Sequence, residues 1–99
     1  MVEIELLFYV EAQGGAPFEA WFRDLDVKAQ GKVTVALGRL KNGGAAKVAG
    51  VGDGVFEFKL DWGPGYRLYF GRDGEQIILL LCGGTKKRRG HDIDKAKRF

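Results

Sequence analysis

The stretch from Val55 to Cys82 constrains this chain more than any other. Phe56, Phe58 and Leu60 alternate with Glu57, Lys59 and Asp61, the period-two pattern of a strand with one apolar and one polar face. Gly63-Pro64-Gly65 then forms a turn, and Tyr66, Leu68 and Phe70 oppose Arg67 and Tyr69 in a second strand. Asp73-Gly74 is a strong hairpin signal. From Gln76 to Cys82 the chain is apolar nearly throughout, as expected of a central strand covered on both faces. Three consecutive strands joined by tight turns form an antiparallel meander, and a sheet with an apolar face needs a second layer to bury it.

The residues before this stretch supply that layer. Met1 to Val10 reads as a strand, ended by Gly14-Gly15, and Pro17 stands where a first helical turn tolerates proline. Phe18, Trp21, Phe22 and Leu25 recur at one-face helical spacing. Asp26 is placed to cap a second helix, whose stripe is Ala29, Val33, Leu37 and Leu40 and which Asn42-Gly43-Gly44 ends. Residues 45–54 are small and Gly-rich and read as a loop. Asp92 to Phe99 reads as a short terminal helix. The expected class is α+β in the order β-α-α-β-β-β-α, an antiparallel meander with a helical hairpin on one face. Lys59, Arg67 and Tyr69 fall on the opposite face, with a basic loop over 85–91 at the end of the sheet.

With 99 residues, 45% of them hydrophobic, a single domain over 1–99 is expected. The longest apolar run is far shorter than the roughly 20 residues of a membrane-spanning helix. Glu3 and Glu5 stand where a signal peptide would carry cations, and a lone cysteine suits a reducing compartment, so a cytoplasmic location and no membrane partner are expected. One histidine, one cysteine and no ligand-spaced cluster give no basis for a metal site, and no cofactor is expected. Gly50 to Gly54 lacks the Lys-Ser/Thr of a phosphate loop. The net charge of +3 is unevenly spread: Thr85 to Phe99 holds seven cations against two acids. Such a local excess suits a surface facing a polyanion.

The segment "FEFKLDWGPGYRLYFGRDGEQIILLLCGG", followed by the basic run and "DIDKAKRF", resembles the RelE/HigB-like toxins of bacterial type II toxin–antitoxin modules. Within the RelE/ParE superfamily it is most similar to the phage-derived addiction module killer protein branch. The resemblance spans nearly the whole chain, and "GPGYRLYF" and "LLCGG-K" are its most specific parts. It implies a small toxin held inactive by a co-encoded antitoxin, typically a small helix-turn-helix protein through which DNA is contacted. The RelE and HigB branches are mRNA interferases, endoribonucleases that bind and cut messenger RNA on the ribosome and so inhibit translation. The ParE branch shares the fold but inhibits DNA gyrase, so fold alone leaves the target open. An inactive relative that only binds an antitoxin is a third reading.

Carried over residue by residue, the resemblance implies catalytic roles for Lys59, Arg67 and Lys86. Lys87, Arg88 and Arg89 fall in as RNA-backbone contacts, and Tyr69 as a stacking partner for a base. Where the pattern has a terminal tyrosine this chain has Asp92, beside His91, so His91 is the candidate for proton transfer. Metal-independent RNA cleavage uses the 2′-OH as nucleophile and leaves a 2′,3′-cyclic phosphate. It needs a base, an acid and cations for the developing phosphorane charge. An arginine fork suits those oxygens. The same residues admit plain structural readings: Arg67 pairing with Glu57 or Asp61, Tyr69 filling a cross-strand pair, His91 in a loop or cap, and the four cations simply solvated.

Overall fold

The structure is a computed structural model and describes residues 3–43 and 47–99. In chain order the elements are β1 (Glu5–Phe8), α1 (Pro17–Arg23), α2 (Val27–Lys41), β2 (Val48–Gly52), β3 (Val55–Lys59), β4 (Tyr66–Asp73), β5 (Ile77–Thr85), a 3-10 turn (Lys86–Arg88) and α3 (Arg89–Lys97). The five strands form one sheet in the order β1-β5-β4-β3-β2. No helix among the described residues is long and apolar enough to cross a membrane.

The meander is present as expected. β3 pairs with β4 and β4 with β5, both antiparallel. Phe58, Leu60, Leu68, Phe70, Ile78 and Leu80 bury one face of the sheet against Phe18 of α1 and Val33, Ala36 and Leu40 of α2. Pro17 opens α1. Asp26 Oδ1 accepts the Ala29 backbone N–H at 2.8 Å, which satisfies one free donor of the first turn of α2.

Three expectations need correction. First, the sheet is mixed: β1 runs parallel to β5, with Glu5 beside Ile77 and Phe8 beside Leu80, because the chain crosses over through the helical hairpin before the meander begins. Second, part of the expected loop over 45–54 is a fifth strand. β2 pairs antiparallel with β3 through a tight turn in which Asp53 and Gly54 both take positive φ, 56° and 76°, the geometry of a two-residue hairpin. Its small residues, Val-Ala-Gly-Val-Gly, give an edge strand with almost no side-chain pattern. The reading of residues 45 and 46 lies outside the described residues. Third, the expected basic loop over 85–91 is helical from Lys86 onward: the 3-10 turn leads directly into α3, which starts at Arg89, three residues before Asp92.

That third difference alters the second face of the sheet. α3 packs across it, and Val55, Tyr69, Leu81, Cys82 and Ala96 form a second buried cluster there. The face expected to carry Lys59, Arg67 and Tyr69 in the open is thus largely covered. The glycine pair after Cys82 permits this sandwich. A Cβ at Gly83 would collide with the Trp21 ring of α1 on one side, and a Cβ at Gly84 with the Asp92 carboxylate of α3 on the other. Both helical layers sit directly on the β5 backbone at this point.

Candidate functional site

β3, β4 and β5 set the site by register. Lys59 lies opposite Arg67, and Arg67 opposite Gly84; one step along, Glu57 lies opposite Tyr69 and Tyr69 opposite Cys82. All of these side chains share the face covered by α3. Towards the end of β3 the cover runs out and Lys59 is exposed. There an open depression of about 450 Å³ is lined by Lys59, Arg67 and Lys86, with the Gly63-Pro64-Gly65 turn as its rim. The three residues that the resemblance marks as catalytic therefore line one cavity. Gly65 allows the close approach: its φ is +75°, and an added Cβ would crowd both the Lys86 Cβ and the Arg67 Nη1.

Arg67 forms the floor and is only 4% exposed. Its Nη1 donates to the Gly65 carbonyl at 2.8 Å, and its Nε stands 3.5 Å from Glu57 Oε2 as an ion pair. Of the two acids weighed as its partner, Glu57 is the one the fold supplies; Asp61 instead accepts from Lys47, which holds its carboxyl below the usual range.

Glu57 also accepts three hydrogen bonds from two further side chains. Tyr69 donates its hydroxyl to Oε2 at 3.0 Å, Arg89 Nε donates to the same oxygen at 2.9 Å, and Arg89 Nη2 donates to Oε1 at 3.3 Å. These donors, with cations on two sides, satisfy the polar atoms that burial takes from water. The Glu57 hydrogen bonds raise the Arg89 pKa. Burial first, and then the bond to Glu57, raise that of Tyr69. Burial pushes the Cys82 thiol up to about 12.

The remaining candidates separate. Tyr69 is fully buried, so it has no ring face for a base; it fills the cross-strand layer and anchors Glu57. Arg89 turns inward to Glu57, whereas Lys87 and Arg88 remain exposed. His91 lies on the first turn of α3 and does not line the depression. Its Nδ1 is 3.2 Å from Arg88 Nη2 and 3.4 Å from Asp92 Oδ1. Asp92, where the resemblance leads one to expect a tyrosine, is buried over Gly84 and does not line the depression. Sequence reasoning missed the role of Glu57 as the hub. The available signal was its place on the polar face of its strand, two residues before Lys59 and across the hairpin from Arg67.

Comparison with known proteins adds the following. No solved structure matches the chain. An uncharacterized protein of Haemophilus influenzae is 36% identical over 81 residues, covering 81% of this chain and 82% of its own length. Residues 20–98 match the family described as Phage derived protein Gp49-like (DUF891). That span holds every residue of the site, and the chain belongs to this phage-derived Gp49-like family, a toxin-like family of addiction modules.

Proposed function

We propose that this protein is the toxin of a toxin–antitoxin pair and an endoribonuclease that cuts mRNA on the ribosome. The observation that carries the reading is the convergence of Lys59, Arg67 and Lys86 on one open depression. A phosphate seated there meets three cations on different elements, the arrangement that stabilises a dianionic phosphorane. Arg67 is held in place from behind by Glu57 and Gly65, so its fork is set before substrate arrives. Lys59 and Lys86 are exposed point charges at the rim. Asp92 puts no side chain in the cavity; of the groups that line it, the lysine ammoniums can protonate the leaving 5′-oxygen and the Asp61 carboxylate can accept the 2′-OH proton. The reaction needs no metal: the 2′-OH attacks the adjacent phosphate, the 5′-oxygen leaves, and a 2′,3′-cyclic phosphate remains. The partner is a cognate antitoxin, whose acidic or apolar segment would mask these cations.

A gyrase-binding reading draws on one observation: Asp92 is buried over Gly84, where the nuclease pattern would place a catalytic tyrosine. Induced expression separates the two. The nuclease reading expects growth arrest with new transcript ends bearing 2′,3′-cyclic phosphates, abolished by Arg67→Ala and by Lys59→Ala in folded protein. Arrest with intact transcripts and inhibited supercoiling would overturn it.

A further inference from the structure

The depression does not end at Lys59. Lys59, Leu60, Asp61 and Trp62 also form one wall of a second groove of about 250 Å³, whose far wall is α2 with Lys32 and Arg39. We propose that this groove is a second RNA-binding segment, which holds the nucleotides of a single-stranded substrate that flank the bond to be cut. This inference rests on the nuclease reading and extends it to the length of RNA bound.

The charge of the groove points to a polyanion. α2 carries Lys28, Lys32, Arg39 and Lys41 and no acid at all. Lys32 and Arg39 line the groove from α2, and Lys47 and Lys59 from the sheet side. Asp61 is the single acid in the lining, and Lys47 already binds it. A strand leaving the depression past Lys59 therefore stays among cations without crossing an acidic barrier.

Trp62 gives the groove a surface for a base. Its indole stacks on Tyr66 with ring centroids 6.0 Å apart and planes 23° from parallel, and Lys32 Nζ sits 5.6 Å from its ring centroid. The ring is thus backed on one side and covered on the outside only by a flexible ammonium. A base that displaces Lys32 gains stacking and frees the ammonium for the adjoining phosphate.

An acidic amphipathic peptide would answer the same charges, but it needs open apolar surface to anchor its side chains. The groove offers little. Ala36, Phe58 and Leu60 are buried in the core beneath it, which leaves Val35 as the exposed aliphatic side chain of the lining. Cations around one aromatic ring fit a nucleic-acid strand better than a helix.

The test is fluorescence anisotropy of the full chain with 2′-O-methyl RNA, which resists cleavage, in oligomers of about 4 and about 12 nucleotides. The charge-reversed Lys32→Glu/Arg39→Glu variant should bind the long oligomer at least about tenfold more weakly than wild type. The slope of log K against log salt should be shallower by about 1.4, the loss of two single-strand phosphate contacts. The short oligomer should bind both proteins equally. Trp62→Ala should weaken the long oligomer about tenfold, with Trp62→Phe restoring it. Lys32 and Arg39 are exposed, so melting curves should show both proteins folded. Unchanged binding of the long oligomer, or equal loss for both lengths, would overturn the groove assignment while leaving the nuclease reading intact. So would retained RNA affinity with lost capture of the co-expressed antitoxin, which would make the groove a protein dock. Failure of wild type to bind either oligomer and to cut transcripts would instead remove the nuclease reading and this inference with it.

Discussion

Replacing Glu57 by glutamine tests the internal logic of the site. The substitution keeps the shape of the side chain and removes its charge. The Tyr69 hydroxyl keeps an acceptor, since an amide oxygen replaces a carboxylate oxygen 3.0 Å away. Arg67 fares worse: it is 4% exposed, and its counter-ion at 3.5 Å is gone. Breaking a buried ion pair on one side costs about 3–5 kcal/mol, because the remaining charge is left without a counter-ion and with little water. The Arg89 pair is half-exposed on the arginine side and adds less than about 1 kcal/mol. For a domain of this size, about 4 °C per kcal/mol translates the loss into a fall in Tm of roughly 12 to 20 °C by calorimetry or circular dichroism. The control is Glu57→Leu with Arg67→Met, which removes both charges and should recover most of the stability, though not the activity. A Glu57→Gln protein melting within about 3 °C of wild type, or a double variant no more stable than the single one, would refute the idea that Glu57 holds Arg67 in a dry setting.

Two further outcomes follow from the packing. Gly84→Ala should cost about 1–3 kcal/mol in urea unfolding and lower activity as well, because the methyl group displaces Asp92 and with it the start of α3. Stability should also decline in alkali. Folded Cys82 keeps its proton up to about 12 against an ordinary 9.0, so from pH 9 upward the native state binds more protons than the unfolded chain, and stability falls as pH rises. Tyr69, whose pKa is raised from 10.0, adds a loss of the same sign above pH 10. Cys82→Ala should remove the part of the decline that begins near pH 9, measured by urea melts across the pH range.

The meander and the helical hairpin were legible because side-chain period and turn chemistry are local properties: the alternation of Phe56, Phe58 and Leu60, the Asp73-Gly74 turn and the Asp26 cap each act within a few residues. β2 was harder to read because Val48 to Gly52 is nearly all small side chains, although Asp53-Gly54 carried the same turn signal as Asp73-Gly74. The parallel pairing of β1 with β5 has no local mark in either strand. The start of α3 was misplaced for an electrostatic reason. A run of cations is unfavourable at a helix N-terminus, so Asp92 looked like the beginning; Arg89 is tolerated there because Glu57, distant in sequence, neutralises it. The same omission hid the burial of Tyr69 and Arg67. Strand alternation gives the face a residue occupies, but not whether a later helix covers that face.

The pairing of β1 with β5 also dictates a schedule. A chain emerging from synthesis presents β1 and both helices of the hairpin long before Ile77 to Leu80, the neighbours of β1, exist. Arg67 appears next, but its dry setting needs α3 over Gly84, and the rim of the depression needs Lys86. Contacts between such distant segments form late. The cationic centre is therefore assembled only once β5, Lys86 and α3 have followed Arg67, and a nascent copy that stops short of Lys86 lacks it.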